Sequence, residues 1–186
     1  MKQVRTVVQN VWNQDLEYNE ENRNNDWIIL KLDTPLDFND EVQPACLPSP
    51  NWSPDTDSYN RCFVSGWGAL EFEVNSTNTL QWIEVPALTN DVCKQSYGNK
   101  SISDDIICTG YAEGGNNSCP GNSGGPFVCL NESSAILTGI ASFEHECASP
   151  GNYGIYARVT QILDWIQSNL VCVIETKVSH ITNIYC

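Results

Sequence analysis

The sequence predicts an all-β fold, a barrel or sandwich carrying a C-terminal helix, on three observations. Runs rich in Val, Ile, Phe, Tyr and Trp recur near 3–11, 27–32, 61–67, 80–86, 106–109, 126–130, 135–142 and 153–159. Clusters of Gly, Pro, Asn, Asp and Ser separate them, and short strands at such spacing favour a closed or doubled sheet. Nine cysteines in 186 residues imply a disulfide framework formed in the secretory pathway, since a reduced cytosol would keep so many thiols open.

The first two runs read as a strand pair on either side of a polar, acidic stretch. Pro44, Pro48, Pro50 and Pro54 then mark 43–58 as an extended connector, because proline lacks the N–H a sheet ladder needs and fixes its own φ. Six strand-like runs follow. Two helical segments interrupt them. One starts after Thr89-Asn90-Asp91, whose small polar side chains can cap free N–H groups. The other starts after Thr160, with Ile162, Trp165, Ile166 and Leu170 on one face to lie against the body of the domain.

Twenty-three acidic residues against nine basic ones give a net charge of −14. That charge repels nucleic acid and anionic membrane surfaces, and no stretch of about 18 apolar residues exists to span a bilayer. Five Asn-x-Ser/Thr acceptors, at Asn51, Asn75, Asn99, Asn116 and Asn131, agree with passage through the secretory pathway. Residues 1–25 hold no apolar segment of the kind an export signal requires, so the start of the protein is expected to be missing. No internal repeat or low-complexity tract is present.

The most specific motif is Cys119-Pro120-Gly121-Asn122-Ser123-Gly124-Gly125-Pro126-Phe127-Val128-Cys129. Alone, Gly-x-Ser-Gly-Gly is compatible with an ordinary tight turn. It stands, however, in an ordered set with Asn24-Asn25-Asp26-Trp27-Ile28-Ile29-Leu30-Lys31-Leu32, Val42 to Pro48, Cys62-Phe63-Val64-Ser65-Gly66-Trp67-Gly68, Asp105 to Tyr111, Gly139 to Cys147, Tyr153-Gly154-Ile155-Tyr156 and the Trp165-Ile166 helix. Over roughly residues 3–170 the chain resembles the trypsin/chymotrypsin family of serine proteases. The resemblance implies a double Greek-key fold of two β-barrels with the active site in the cleft between them. Residues 1–42 would be a remnant of the N-terminal barrel with its last two strands, 43–58 the connector, 59–170 the C-terminal barrel and helix, and 171–186 a tail. Such a remnant is expected to leave Trp27, Ile29 and the run 4–11 exposed.

By the same resemblance, Ser123 matches the nucleophile and Asp26 the carboxylate that orients the catalytic histidine. Gly121 and Ser123 match the residues whose backbone N–H groups form the oxyanion hole, a contribution commonly about 3–4 kcal/mol per donor. The family order His, Asp, Ser places the histidine upstream of residue 1. His145 falls in the segment that edges the substrate pocket and His180 in the tail, so neither is expected to serve Ser123. The substrate pocket maps to Asn117, Ser142, Phe143, Glu144 and Gly154. The implied disulfides are Cys62 with Cys129, Cys93 with Cys108, and Cys119 with Cys147. Cys46, Cys172 and Cys186 remain: the last two could pair with each other, one could reach Cys46, or Cys46 could join an upstream chain, as it does in relatives with a linked light chain.

Departures bear on activity. In active members an Asp before the nucleophile pairs with the new N-terminal ammonium, and breaking such a pair costs about 3–5 kcal/mol; here it is Asn122. The pocket floor, Asp in trypsins, is Asn117, and Glu144 replaces a glycine at the pocket mouth. Phe143 stands for the usual Trp and Pro120 for a long polar residue. Two functions from different classes follow. One is a secreted trypsin-like endopeptidase, acting on protein or peptide substrates through an acyl-enzyme and present here without its histidine. The other is a non-catalytic homologue serving as a binding module. Neither needs a cofactor or a metal.

Overall fold

A computed structural model of the chain describes residues 2–12, 18–20, 23–54, 61–68, 77–98, 101–115, 122–131, 134–143 and 149–174. Among the described residues the strands are β1 (Val7–Val11), β2 (Ile29–Leu32), β3 (Cys62–Gly66), β4 (Gln81–Glu84), β5 (Ala87–Leu88), β6 (Ile106–Thr109), β7 (Pro126–Asn131), β8 (Ser134–Phe143) and β9 (Gly154–Arg158). The helices are α1 (Asn90–Tyr97) and α2 (Leu163–Ile174), the second entered through a 3-10 turn at Val159–Gln161. The fold is therefore mostly β, consistent with the trypsin-like architecture.

β1 and β2 pair with each other in a separate two-stranded sheet, and the other seven strands form one antiparallel sheet in the order β4-β3-β7-β8-β9-β6-β5. β4 and β5 stand at opposite edges of that order, yet only Val85 and Pro86 lie between them in sequence. The sheet must therefore curl until its edges meet. Val85 N–H donates to the Cys62 carbonyl at 2.9 Å on the β3 side, while the Pro86 carbonyl accepts from Thr109 Oγ1 at 2.7 Å on the β6 side. The run 80–86 is thus not one strand, as expected from its composition, but β4 followed by a break before β5. Pro86, which has no N–H to give, is where the ladder fails.

Two further expectations change. The strand expected from residue 3 starts at Val7, and ahead of it side chains rather than a main-chain ladder hold the chain to residues 35–37: Gln3 Nε2 donates to the Asp37 carbonyl at 2.8 Å and Arg5 Nε to the Pro35 carbonyl at 2.9 Å. At α1, Thr89 takes the N-cap position but its side chain caps nothing. Asn90 is drawn into the barrel base, where its Nδ2 donates to the Ser103 carbonyl at 2.8 Å and its Oδ1 accepts from Arg158 Nη2 at 3.0 Å.

The inside of the curled sheet is filled by Cys62, Val64, Val85, Ile107, Phe127, Cys129, Ala141 and Tyr156. Packing there leaves no room at Gly139: a Cβ would lie 2.9 Å from the Tyr156 Cβ and 3.3 Å from Phe127 Cδ1. A second cluster, Cys93, Ile102, Ile106, Cys108, Tyr153 and Ile155, seats α1 against the sheet. Tyr97 reinforces it, with its hydroxyl donating to the Tyr153 carbonyl and accepting from the Tyr153 N–H, both at 2.8 Å. The proline-rich connector is docked rather than free. Leu137 N–H donates to the Cys46 carbonyl at 2.8 Å, Cys46 N–H to the Ala135 carbonyl at 2.9 Å, and Trp52 Nε1 to Thr138 Oγ1 at 3.2 Å.

Among the described residues, the β1–β2 unit contributes none to either core cluster. Val4, Val8, Trp12, Ile28, Leu30 and Phe38 are exposed, Val4 by 72% and Leu30 by 52%. Along this alternation Ile28 and Leu30 are the exposed residues, both lining an open cavity, whereas Trp27 and Ile29, expected to be exposed, are half-buried.

Candidate active site

The segment 122–125 forms a tight turn closed by the Gly125 N–H donating to the Asn122 carbonyl at 2.8 Å. Gly124 takes φ +79°, the left-handed third position of a type II turn, which explains a glycine there. Gly125 is required for a different reason, since a Cβ would sit 2.7 Å from the Asn122 carbonyl oxygen. The turn is sewn to β8 by the Gly124 N–H to the Ala141 carbonyl at 2.8 Å and the Ala141 N–H to the Gly125 carbonyl at 2.9 Å. Ser123 is left exposed at its crest.

Behind the serine, the Asn122 side chain is inserted between two glycines at the end of β3. Its Oδ1 accepts the Gly68 N–H at 2.9 Å. A Cβ on Gly68 would meet the Asn122 amide at 2.6 Å, and one on Gly66 would collide with Asn122 Oδ1. A neutral side chain thus fastens the nucleophile turn to β3 through a backbone hydrogen bond.

Asp26 reaches the site from the other unit. It follows a turn in which Arg23 and Asn25 both adopt positive φ, +59° and +63°. Asparagine tolerates that region, and arginine does so at a cost of roughly 1–2 kcal/mol. The loop is closed by Arg23 N–H to the Asn19 carbonyl at 2.8 Å and Asn19 N–H to the Asn24 carbonyl at 3.1 Å. It is tied to the barrel by Ser103 Oγ donating to Asn24 Oδ1 at 2.6 Å. Asp26 Oδ2 accepts a 2.5 Å hydrogen bond from Ser142 Oγ. Asp26, Ser123 and Ser142 line one cavity of about 640 Å³ whose remaining walls include Trp12, Leu30, Leu137 and Ile140.

Of the residues expected at the site, Asp26, Ser123 and Ser142 are therefore brought together, with Ser142 bonded to the carboxylate rather than only walling a pocket. Phe143 and Gly154 do not line this cavity. Phe143 packs on the second core cluster and lies under the Arg23 guanidinium, 4.7 Å from its centroid, and Gly154 is buried at the start of β9 opposite Thr109. Gly121, Asn117, Glu144, His145 and Pro120 lie outside the described residues, as does His180. The chain contains the disulfides Cys62–Cys129 and Cys93–Cys108, and Cys46 is also disulfide-bonded. Cys119, Cys147 and Cys186 lie outside the described residues, and the side chain of Cys172 is likewise undescribed. The position of Arg23 against Phe143 had no sequence signal, since 120 residues separate them.

A family model described as Trypsin matches residues 1–166. The chain is 38% identical over 147 residues to Trypsin-1 of Astacus astacus, covering 79% of this chain and 60% of that protein. It is 39% identical over 152 residues to a venom protease of Bombus pensylvanicus, covering 81% of this chain and 60% of that protein. It is 39% identical over 153 residues to Trypsin-1 of Salmo salar, covering 82% and 60%. The chain thus matches about 60% of the length of these relatives. With a serine raised on a glycine turn and an aspartate across one cavity from it, and with similarity of this extent, the chain belongs to the trypsin family of serine proteases.

Proposed function

We propose that these residues are part of a secreted trypsin-like serine endopeptidase whose general base comes from sequence outside the 186 residues. The observation that carries this reading is the placement of Ser123 and Asp26 on one cavity, with Ser142 holding the carboxylate. In this mechanism the base takes the Ser123 proton as Oγ bonds to the substrate carbonyl carbon. Collapse of the tetrahedral adduct breaks the C–N bond, and the amine leaves with that proton. Water, deprotonated by the same base, then releases the acid and restores Ser123. Asp26 orients and stabilises the protonated base, while the Gly121 and Ser123 N–H groups meet the oxyanion. Asn117 at the pocket floor gives weak preference for a basic side chain, and Glu144 is the nearby carboxylate that could supply part of one. Secretion is supported by the disulfides and by the exposed acceptor asparagines Asn51 and Asn131, which would carry glycans. A covalent link from Cys46 to an upstream chain is not part of the proposal, because that sulfur is already engaged.

A second reading, a non-catalytic homologue acting as a binding module, is favoured by Asn122. Its amide holds the turn without the charge that active members direct at an ammonium. A fluorophosphonate probe separates the two. The 186-residue chain should not be labelled stoichiometrically, whereas a longer protein carrying the histidine should label at Ser123 and cleave peptides. A longer protein that folds but neither labels nor cleaves would establish the binding-module reading. Rapid labelling of the short chain, abolished by Ser123→Ala, would show that the base lies within it.

A further inference from the structure

We propose that a second pocket, which shares no lining residue with the Ser123 cavity, seats a single sugar ring. Its volume of about 280 Å³ is at the small end of ligand pockets, roughly 300–1,000 Å³, and suits one ring rather than an extended chain. Separate segments build it: Asn51 and Ser53 come from the connector, Asp104 from the loop before β6, Arg158 from the end of β9, and Thr160 and Gln161 from the 3-10 turn. The walls are fixed before any ligand arrives. Arg158 Nε donates to the Ile106 carbonyl at 3.1 Å and Nη2 to Asn90 Oδ1 at 3.0 Å, while Asn90 Nδ2 holds the Ser103 carbonyl at 2.8 Å. Trp52, also on the pocket, is pinned by Nε1 donating to Thr138 Oγ1 and by packing on the main core cluster. The turn carrying Thr160 and Gln161 is closed by the Ile162 N–H on the Val159 carbonyl at 3.1 Å. Walls set in this way keep the ordering cost of binding low.

The lining selects the class of ligand. Its charged side chains are one cation, Arg158, and one carboxylate, Asp104, so the pocket carries no net charge and favours a neutral guest over a phosphate or an ammonium. The amides and hydroxyls around them both donate and accept, as each hydroxyl of a sugar does, and the planar ends of Arg, Asp, Asn and Gln match pairs of neighbouring ring hydroxyls. Pro50 and Trp52 supply the apolar contact that the C–H face of a pyranose needs. Such a ring has two sources. Asn51 is the exposed acceptor of Asn51-Trp52-Ser53 and itself lines the pocket, so a glycan on its amide would present its first ring, N-acetylglucosamine, at high effective concentration. With Asn51 bare, the ring comes from outside. The first source rests on the secretory reading, whereas the pocket does not.

The 186-residue chain made in bacteria, and so unglycosylated, tests the pocket itself. Saturation-transfer NMR is run with the methyl glycosides of N-acetylglucosamine, mannose and galactose, and inorganic phosphate is added as competitor. At least one glycoside should bind with a Kd of about 1 mM, the strength expected of a one-ring ligand. Gln161→Ala and Asp104→Ala, both at exposed positions that leave the fold intact, should each weaken it about threefold or more, and phosphate should not displace it. No transfer from any glycoside, equal binding in the parent and both variants, or displacement by millimolar phosphate would each overturn the seat. The same chain secreted from eukaryotic cells separates the sources, with peptide mass spectrometry reading the occupancy of Asn51. A glycan there should abolish binding of the free glycoside, because the attached ring fills the seat, and enzymatic removal of the glycan should restore it. Undiminished binding to the glycosylated chain would overturn the seat. A bare Asn51 in the secreted chain would count against the secretory reading of that acceptor and assign the ring to an outside source, with the pocket established by the first arm.

Discussion

Ser142 Oγ donates a 2.5 Å hydrogen bond to Asp26 Oδ2 across 116 positions of sequence, joining the loop that precedes β2 to the end of β8. Each partner is half-buried, so the bond is partly shielded from water. A hydrogen bond to a charged acceptor contributes about 1.5–3 kcal/mol when desolvated, and partial exposure reduces that to about 1 kcal/mol here. Ser142→Ala should therefore lower stability by about that amount and speed amide exchange through 24–28, while exchange in β6 and β9 stays as it was. Ser142→Thr, which keeps the donor, should restore most of the protection. Unchanged exchange at 24–28 in the alanine variant would show that the loop is held by the Ser103–Asn24 contact alone.

The same pair shows what could be read beforehand and what could not. Asp26 and Ser123 were legible because each sits in a local pattern with chemical meaning: an aspartate opening an apolar strand, and a serine among glycines that only a tight turn explains. Ser142 was assigned to a pocket wall. Its bond to Asp26 depends on two loops converging, and nothing within ten residues of either announces it. Pro86 is the converse case, a visible break inside a run read as one strand, with the physical reason already in the sequence. Arg23 was missed because the meaning of a loop arginine lies in the Phe143 ring beneath it.

The nucleophile turn makes separate demands on its two glycines. Gly124→Ala places a side chain at φ +79° in otherwise open space, at a cost of roughly 1–2 kcal/mol from backbone conformation alone. Gly125→Ala drives a Cβ to 2.7 Å from the Asn122 carbonyl oxygen, so the closing hydrogen bond of the turn must lengthen. Both variants should unfold at lower urea concentration than the parent. Only Gly125→Ala should also release the Gly68 amide, because moving Asn122 withdraws the Oδ1 that accepts it. Equal Gly68 exchange in the two variants would separate the turn from the β3 contact.

Asp33 predicts an acid-sensitive seam between the ends of β1 and β2. Its carboxyl is held below its ordinary value near 3.8, chiefly by the Thr6 backbone N–H, against a smaller opposing effect of desolvation, with further help from Thr34. Thr34 N–H donates to Asp33 Oδ1 at 2.7 Å, and Asp33 N–H donates to the Thr6 carbonyl at 2.8 Å. A depressed folded-state value means the stabilisation is present in full above the unfolded value and is lost as pH falls through the folded one. Protection of the Thr6 amide, corrected for intrinsic exchange, should hold from neutral pH down to the ordinary value near 3.8 and decline only below it. In Asp33→Asn the protection should be lower at neutral pH and flat with acid. A parallel decline in Asp33→Asn would assign the acid sensitivity to another carboxylate.

The two disulfides should differ in worth by the length of chain they close. Cys62–Cys129 spans 67 residues and Cys93–Cys108 spans 15, and all four cysteines are buried, so truncation to alanine removes similar packing at each pair. Restricting the unfolded chain contributes about 4 kcal/mol for the longer loop and about 3 kcal/mol for the shorter. The longer bond also joins β3 and β7 at directly opposed positions in the sheet, so the native ladder keeps its register when the bond is removed. The shorter one fastens α1 to β6, where Tyr97 and Tyr153 make an independent tie. Urea unfolding should therefore place the Cys62→Ala/Cys129→Ala variant about 1 kcal/mol below Cys93→Ala/Cys108→Ala, with folded-state spectra alike. The reverse order would mean that the α1 attachment, rather than unfolded-chain entropy, sets the cost.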